Sequence, residues 1–383
     1  MMATEALQSR LRESAPARSR CERLRVAVVS DAVAERNGVG SYYSDLVGQL
    51  ASRVGRAELF CPQDSLQGWR RRLVPPLPGD RTQRLWFPRP FRLWRRLTTL
   101  APHAVVVPTP GPFGLMGLLA ARRLGIPLIT GFHTHFEQLA DIYWRDAFGR
   151  LSRGYLERCH RLLFRHSALV LANSPEMARL ADRLGARGTR LMGTSVPREF
   201  LDRPLVAPAP AVRRLLFAGR LAEEKNLPAV LDVTERLPGL RVSIAGDGPM
   251  RPAVAAAAAR LPNLDYLGWV PRERLIDTLD AHDMLLLPSR VESFGTVALE
   301  GMARGRPVIV SGDCGIAEWP ELEAGLFRIG ANESVIQAVI RACAAAPAVR
   351  AEMGRQAHLA ARRLNDWNLR TWIGWLQGDT DSG

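Results

Sequence analysis

Lysine is almost absent from this sequence of 383 residues. Lysine and arginine together number 52, and Lys225 is the only lysine among them. An arginine guanidinium is broad and planar, whereas a lysine ammonium is a compact point charge. A lysine that persists against this bias indicates a position that needs a compact ammonium. The alternative is that one lysine survived by chance.

Cysteines are few, and long apolar runs are missing. The five cysteines are scattered and form no C-x-x-C pair, which predicts reduced thiols in a cytosolic protein. No apolar run reaches the ~18 residues of a membrane-spanning helix. Residues 1–22 lack the apolar segment of a secretion signal, and we expect them to form a disordered tail.

Acidic residues are outnumbered, since 38 Asp and Glu leave a formal net charge of +14. This excess predicts an anionic partner: a nucleotide, a nucleic acid or an acidic lipid surface. The sequence contains no recognisable nucleic-acid recognition module, and charge alone is poor evidence of specific binding.

Short apolar runs alternate with helical patterns in both halves of the chain. This rhythm predicts an α/β protein with two doubly wound, Rossmann-like domains that face a cleft. A segment rich in Pro and Ala would link them. The predicted boundaries are a tail (1–22), an N-terminal domain (23–197), a linker (198–212), a C-terminal domain (213–358) and a C-terminal helix with its tail (359–383).

The most informative stretch is SRVESFGTVALEGMARG, residues 289–305, which follows the apolar run 284–288. The pattern predicts a buried strand, a turn and a helix that starts at about Ser293. Such a helix N-terminus binds phosphate readily, because its first amides have no acceptor within the helix. The amides expected to face a diphosphate are those of Phe294, Gly295 and Thr296.

Two carboxylates, Glu292 and Glu300, frame this stretch. A carboxylate at this place can accept both hydroxyls of a ribose, as the acidic residue of dinucleotide sites does. The alternative is that Glu292 only favours the helix dipole and that Glu300 is solvated.

Two positions in the first half also follow predicted strands. Gly38 lies in the loop 37–40 at the start of a helix, which is a phosphate or substrate position. His133 ends another strand and is a candidate polar group in the cleft, whereas His135 more plausibly has a structural role. We expect no metal site, because no third ligand lies near the two histidines and the only D-x-D is in the tail at 379–381.

Residues 69–96 interleave arginines with tryptophans and phenylalanines. This composition is typical of a surface that lies on an anionic membrane, with aromatic rings at headgroup level. A nucleic-acid surface has a similar composition. The alternative is a solvated face whose aromatic rings point into the core.

Together these motifs resemble the retaining GT-B glycosyltransferases of family 4. The resemblance covers nearly the whole chain and is most specific in GRLAEEKN, GDGP, LGWVP and PSRVESFGTVALEGMARGRPVI. The segments NGV, PFGLMGLLAARRLGIP and FHTHF are similar to a branch of glycolipid mannosyltransferases and diacylglycerol glycosyltransferases. The resemblance implies a GT-B fold whose C-terminal helix could cross back to the N-terminal, acceptor-side domain.

The resemblance also implies roles for these residues. Glu300 would bind the nucleotide ribose, and Glu292 would contact the hydroxyls of the donor sugar. Arg220 and Lys225 would hold the diphosphate, with Gly38 completing the cradle of amides.

Two further positions complete the implied site. His133 would lie beside the donor sugar near the reacting carbon, so that His133, Glu292, Arg220 and Lys225 form the catalytic set. We expect the backbone and side chains around residues 246–249, which include Gly246, and around residues 268–270 to recognise the base. Ser195-Val196-Pro197, Cys314-Gly315 and the HTH of residues 133–135 depart from the family pattern.

The resemblance therefore implies a retaining hexosyltransferase that uses a GDP- or UDP-sugar without a metal or other cofactor. Its acceptor would be a lipid or a glycan, and the protein would be cytoplasmic and peripheral on the membrane. The alternatives are a GT-B sugar-nucleotide epimerase, an inactive family member and a basic nucleic-acid-binding protein.

Overall fold

The structure is a computed structural model that describes residues 21–34, 38–62, 76–77, 80–84, 86–133, 147–207 and 209–379. The predicted disordered tail therefore lies outside the described residues, except for its last two positions. His135 and residues 63–75 of the chain lie outside them as well.

The first half forms a six-stranded parallel sheet in the order β2-β1-β5-β6-β7-β8. All six strands are short, and the four central ones are mostly apolar and buried on both faces, which is typical of parallel sheets. They are β1 (Arg25–Val29), β2 (Arg56–Phe60), β5 (Ala104–Val107), β6 (Leu128–Phe132), β7 (Leu169–Ala172) and β8 (Thr189–Leu191). A separate antiparallel pair consists of β3 (Pro76–Leu77) and β4 (Asp80–Arg84).

Helices connect these strands and cover both faces of the sheet. They are α1 (Gly38–Ala51), α2 (Pro90–Leu100), α3 (Pro112–Leu124), α4 (Ala147–His166) and α5 (Pro175–Arg183). Asp31 follows β1 and accepts the backbone amide of Phe113 at 2.7 Å and that of Gly111 at 3.0 Å. This carboxylate therefore occupies the N-terminus of α3, and the first sheet offers no open amides at that helix.

The second half repeats the architecture with the sheet order β11-β10-β9-β12-β13-β14, again entirely parallel. Its strands are β9 (Arg214–Ala218), β10 (Arg241–Ala245), β11 (Leu264–Gly268), β12 (Met284–Leu287), β13 (Val308–Val310) and β14 (Leu326–Arg328). Its helices are α7 (Leu227–Arg236), α8 (Arg251–Arg260), α9 (Arg272–Asp280), α10 (Thr296–Ala303) and α11 (Val335–Ala344). Three 3₁₀ segments span Glu223–Lys225, Gly315–Glu318 and Pro320–Gly325. The prediction of two doubly wound domains is therefore confirmed.

The predicted linker contains a short helix, α6 (Arg198–Asp202). The fully buried Arg304 donates to the backbone oxygens of Phe200 at 3.0 Å and Arg203 at 2.7 Å, and it also pairs with Asp280 at 2.9 Å. The start of the linker is therefore fixed to the second domain by hydrogen bonds.

The last helix, α12 (Pro347–Leu376), returns to the first domain, as the family resemblance implied that it could. Trp372 and Trp375 are buried in the same core cluster as Tyr42 and Leu46 of α1. The indole of Trp372 donates to the Tyr42 hydroxyl at 2.7 Å. The C-terminal helix thus completes the hydrophobic core of the N-terminal domain.

We predict that Trp372→Ala destabilises the protein although it lies outside the N-terminal sheet. The change would leave a cavity in this core, and such truncations cost about 3–5 kcal/mol. Urea unfolding followed by circular dichroism measures the loss. Phe91→Ala is the control, because Phe91 is 90% exposed. Equal stability of the two variants would contradict the packing of α12 described here.

Candidate active site

The candidate site lies at the point of the second sheet where the strand order reverses. Strands β9 and β12 are neighbours there, although two helix–strand repeats separate them along the chain. In open α/β sheets, ligands bind in the crevice at the carboxyl ends of such strands. The loop after β9 carries Arg220 and Lys225, and the loop after β12 carries Glu292.

Lys225 and Glu292 form an ion pair across this crevice. Their side chains are only 15% and 20% exposed. Burial by itself would lower the pKa of Lys225, but the neighbouring Glu292 carboxylate outweighs burial and the net pKa is raised. The lysine is therefore a fixed cation at the site.

Arg220 lies beside this pair and contacts Glu224 at 3.1 Å. Glu224 is buried, and its backbone oxygen accepts the amide of Arg290 at 2.8 Å. This bond joins the loop after β9 to the loop after β12. The two cations predicted to hold a diphosphate thus come from one loop, which is bonded to the carboxylate-bearing loop.

The helix after Glu292 starts later than the sequence predicted. Its first residue is Thr296, and Ser293 belongs to the loop, so the predicted start at about Ser293 is wrong. The reason is Gly295, whose φ of +96° is a left-handed conformation that cannot continue a right-handed helix from Ser293. Amides at the start of α10 have no acceptor in a preceding turn, which leaves this N-terminus suited to an anion.

Cys314 and Gly315, which depart from the family pattern, contact the loop that bears Glu292 and hold its backbone in place. A Cβ at Gly315 would lie 2.0 Å from the backbone oxygen of Ser293, so only glycine fits there. The Gly315 amide donates to the oxygen of Glu292 at 2.8 Å, and the Cys314 thiol donates to that of Phe294 at 3.4 Å. Phe294 is itself buried against Trp319. These contacts fix the backbone that bears Glu292.

Gly246 brings a third loop to the site. Its φ is +146°, and a Cβ there would lie 1.8 Å from the backbone oxygen of Gly219. The amide of Leu221 also donates to the oxygen of Asp247 at 3.0 Å. The loop after β10 therefore lies directly against the loop that carries Arg220.

Glu300 is buried, with 4% of its surface exposed, and it faces Arg272 at 2.9 Å. Burial raises the pKa of Glu300, and the charge of Arg272 opposes that rise. The alternative that Glu300 is a solvated helix residue is therefore wrong. Arg272 also contacts Asp45 of α1, in the opposite domain.

Gly38 lies across the cleft from the start of α10. A Cβ placed on Gly38 would be 3.9 Å from the Thr296 hydroxyl oxygen. The structure thus brings together the two glycines that were predicted to form one cradle, although they belong to different domains and Gly38 is the first residue of helix α1 rather than part of a loop.

His133 follows β6 on the N-terminal side. Its Nε2 is 2.8 Å from the Tyr43 hydroxyl oxygen, and its ring also stands beside that of Tyr42. Burial lowers the pKa of His133 to about 3. The imidazole is therefore neutral at physiological pH and acts as a hydrogen-bonding group rather than as a cation.

The two domains meet closely at this cleft. The indole of Trp319 donates to the backbone oxygen of Asn173 at 3.0 Å, which links the second domain to the end of β7. A cavity of about 20 Å³ remains between them, and its lining residues are Ser174, Glu176, Met177, Val291, Glu292, Ser293, Asp313 and Glu318. This cavity has room for little more than a water molecule.

Sequence reasoning missed Tyr43, Asp45 and Arg272. Tyr43 and Asp45 lie on α1, the helix that begins at Gly38, so their nearness to Gly38 in the sequence was the available signal. No local sequence pattern pointed to Arg272, because it is far along the chain from both of its partners, Asp45 and Glu300.

In the part of the chain that the structure describes, no cluster of His, Cys, Asp and Glu could hold a metal ion. Within the same ranges, no helix has the length and apolarity needed to cross a bilayer.

Comparison with known protein families accounts for both halves of the chain. Residues 37–193 match the family described as "Glycosyl transferase 4-like domain". Residues 212–345 match the family described as "Glycosyl transferases group 1".

Two curated relatives have related sequences. The sulfoquinovosyl transferase SQD2 of Arabidopsis thaliana is 24% identical over 64% of this chain and 50% of its own length. The GDP-mannose-dependent alpha-mannosyltransferase of Mycobacterium tuberculosis is 27% identical over 75% of this chain and 78% of its own. The chain thus spans half of the first relative and about three quarters of the second.

A solved structure has the same fold. HepE of Anabaena, in complex with UDP-glucose, superposes with a TM-score of 0.65 at 16% identity, covering 92% of this chain and 99% of that one. The two parallel sheets that face a cleft define the GT-B class of proteins. The chain belongs to the family-4 glycosyltransferases of that class.

We predict that Gly246→Ala weakens both the fold and the site. An alanine would be strained at this φ, at a cost of about 1–3 kcal/mol, and its Cβ would collide with Gly219. Thermal unfolding and binding of UDP and GDP by calorimetry measure the two effects. Gly239→Ala is the control, because a Cβ there meets no atom within 4 Å. Wild-type behaviour of Gly246→Ala would contradict the contact between the two loops.

Proposed function

We propose that this protein transfers a hexose of the mannose or glucose type from a nucleotide-diphosphate sugar to a lipid or glycan acceptor, with retention of anomeric configuration. The observation that carries the proposal is the buried Lys225–Glu292 pair at the strand-order reversal, beside the N-terminus of α10. Cations and free amides converge there on one place, as binding of a diphosphate requires.

The donor would lie along the carboxyl edge of the second sheet. Arg220, Lys225 and the first amides of α10 bind the diphosphate, and Gly38 approaches it from the other domain. Glu300 accepts the ribose hydroxyls, and the backbone near Gly246 binds the base. The names of relatives support either nucleotide, because HepE was solved with UDP-glucose and the mycobacterial enzyme is named for GDP-mannose.

The chemistry follows from charge that develops on the leaving group. The bond between the anomeric carbon and the diphosphate oxygen breaks, and the acceptor oxygen bonds to that carbon on the same face. The acceptor proton passes to the leaving phosphate oxygen. Fixed cations and amides favour this step because they stabilise the negative charge without rearranging.

Glu292 and His133 would act on the donor sugar. Glu292 accepts hydrogen bonds from the sugar hydroxyls, and Lys225 holds its carboxylate in place. Because His133 is neutral, it would contact the sugar near the reacting carbon through a hydrogen bond and not through a positive charge. Protein cations supply the charge that a metal would otherwise provide, so we propose that transfer is independent of metal and of any other cofactor.

The cleft must open for this reaction. The cavity that remains between the domains has room for little more than a water molecule and is far too small for a sugar nucleotide. We therefore propose that the domains separate to admit the donor and close again for transfer.

A donor panel tests the proposed function. Purified protein is mixed with GDP- and UDP-sugars and a membrane lipid extract without added metal, and released nucleoside diphosphate is measured. Lipid-dependent release from one donor supports the proposal and names the donor. Conversion of a sugar nucleotide without release would instead indicate an epimerase. No release and no conversion with any donor would refute the proposed transfer for the substrates tested.

Replacing Lys225 should abolish most turnover with the donor that the panel identifies. Loss of one such electrostatic donor lowers turnover about 10²–10³-fold, so we expect Lys225→Ala to fall in that range, and Glu300→Ala to lose most turnover. Lys225→Arg tests the need for a compact ammonium and should stay well below wild type. Arg236→Ala, on the exposed face of α7, is the control. Full turnover by Lys225→Ala would refute the site.

We also propose that the protein is cytoplasmic and lies peripherally on an anionic membrane surface through part of residues 69–96. Phe87 and Phe91 are 66% and 90% exposed, and Arg92 and Arg95 of α2 are exposed beside them. Trp86 and Trp94 instead pack against the core, as the alternative interpretation expected. Trp69 and Arg70–Arg72 lie outside the described residues.

Reversing Arg92 and Arg95 to Glu should weaken binding to phosphatidylglycerol vesicles at least tenfold, because each basic residue near such a surface contributes about 1 kcal/mol. Co-sedimentation measures the change. The control reverses Arg122 and Arg123 at the exposed end of α3. Equal binding by both double variants would rule out α2 as the membrane contact.

A further inference from the structure

Arg272 is the centre of a buried charge cluster that the motifs of the sequence do not contain. One of its terminal nitrogens, Nη2, contacts Glu300 at 2.9 Å and also contacts Asp45. The three side chains are 17%, 5% and 10% exposed, in the order Arg272, Glu300, Asp45. A single guanidinium therefore holds a carboxylate from each domain.

This cluster is poorly suited to stabilising the fold alone. Two carboxylates share one cation, and the buried Arg272 Nε has no hydrogen-bond partner among the described residues. Buried charges pay a desolvation penalty that such a partial network does not recover, and apolar side chains of similar volume often serve stability as well or better. The arrangement is easier to explain by what it does to Glu300.

A carboxylate that binds ribose must be ionised and correctly oriented. Burial favours the neutral acid, which has fewer acceptor sites for two hydroxyls. Arg272 opposes this effect, since it is the cation in contact with Glu300. Its own position is fixed at the start of α9, where its guanidinium also stands 5.8 Å from the centre of the Phe200 ring.

We propose that Arg272 is a positioning residue that holds Glu300 in the ionised, oriented state needed to bind the nucleotide ribose. This inference rests on the proposed function, because it assigns the ribose to Glu300. Arg272 contacts no donor atom in the proposal and acts through the carboxylate. Asp45 anchors the guanidinium from the first domain, so the arrangement is complete only when the cleft is closed.

The test compares ribose recognition with and without Arg272. UDP and GDP are titrated by calorimetry into the full-length wild-type protein, and whichever binds is compared with its 2′-deoxy form. A hydrogen bond to a charged group contributes a factor of about ten to a hundred in affinity. We therefore expect the wild-type protein to bind the 2′-deoxy nucleotide more weakly than the nucleotide itself by about that factor. In Arg272→Met we expect weaker binding of the nucleotide, and an affinity for the 2′-deoxy form that is lower by less than about threefold.

Two variants separate positioning from a general structural effect. Arg274→Met makes the same change two residues later on an exposed part of α9, and it should retain the wild-type ribose discrimination. Arg272→Lys keeps the positive charge and should restore part of that discrimination. Thermal unfolding of each variant establishes that the protein remains folded.

The outcomes distinguish failure of this inference from failure of the proposed function. If wild type binds neither UDP nor GDP, the proposed nucleotide site is refuted, and the inference falls with it. If wild type binds one of them and Arg272→Met discriminates the 2′-deoxy form equally well, only the role of Arg272 is overturned. Tighter nucleotide binding by Arg272→Met would also overturn it, because Arg272 would then compete with ribose for Glu300.

Discussion

Helix α1 is the constraint on which the arrangement of the two domains depends. Positions 38, 42, 45 and 49 form one stripe along it, at intervals of four, three and four residues. Gly38 approaches Thr296 of the second domain, and the Asp45 side chain reaches Arg272. The other two positions contact α12. The Tyr42 hydroxyl accepts a hydrogen bond from the Trp372 indole, and the Gln49 side chain accepts one from the side-chain amide of Asn365 at 3.0 Å. One face of α1 therefore contacts both the second domain across the cleft and the C-terminal helix that packs on the first domain.

The site concentrates charges where burial makes them costly. Lys225 pairs with Glu292, and Glu300 pairs with Arg272, in surroundings that are mostly shielded from water. Such pairs add little to stability, because desolvation offsets their attraction. They do hold each charged group in a fixed place before a substrate arrives. Preformed charge of this kind is what stabilisation of a departing diphosphate needs.

Local patterns predicted the motif positions well, because each depends on neighbouring residues. The apolar run before Ser289 is buried as β12, and the helix with Glu300 follows it. The predicted start of that helix was wrong because Gly295 adopts a left-handed conformation, which composition does not reveal. The partners of Glu300 were missed because they are brought from elsewhere in the chain, and spacing carries no information on such contacts.

The sequence by itself determined two α/β domains, the family to which they belong and the residues that end up at the strand-order reversal. Strand and helix periods and glycine-dependent turns are local properties, so they can be read along the chain. Only the tertiary structure decided that Lys225 meets Glu292, that Arg272 joins Glu300 to Asp45, and that His133 is neutral. Those properties depend on burial and on distances between remote segments, which arise only when the two domains close on each other.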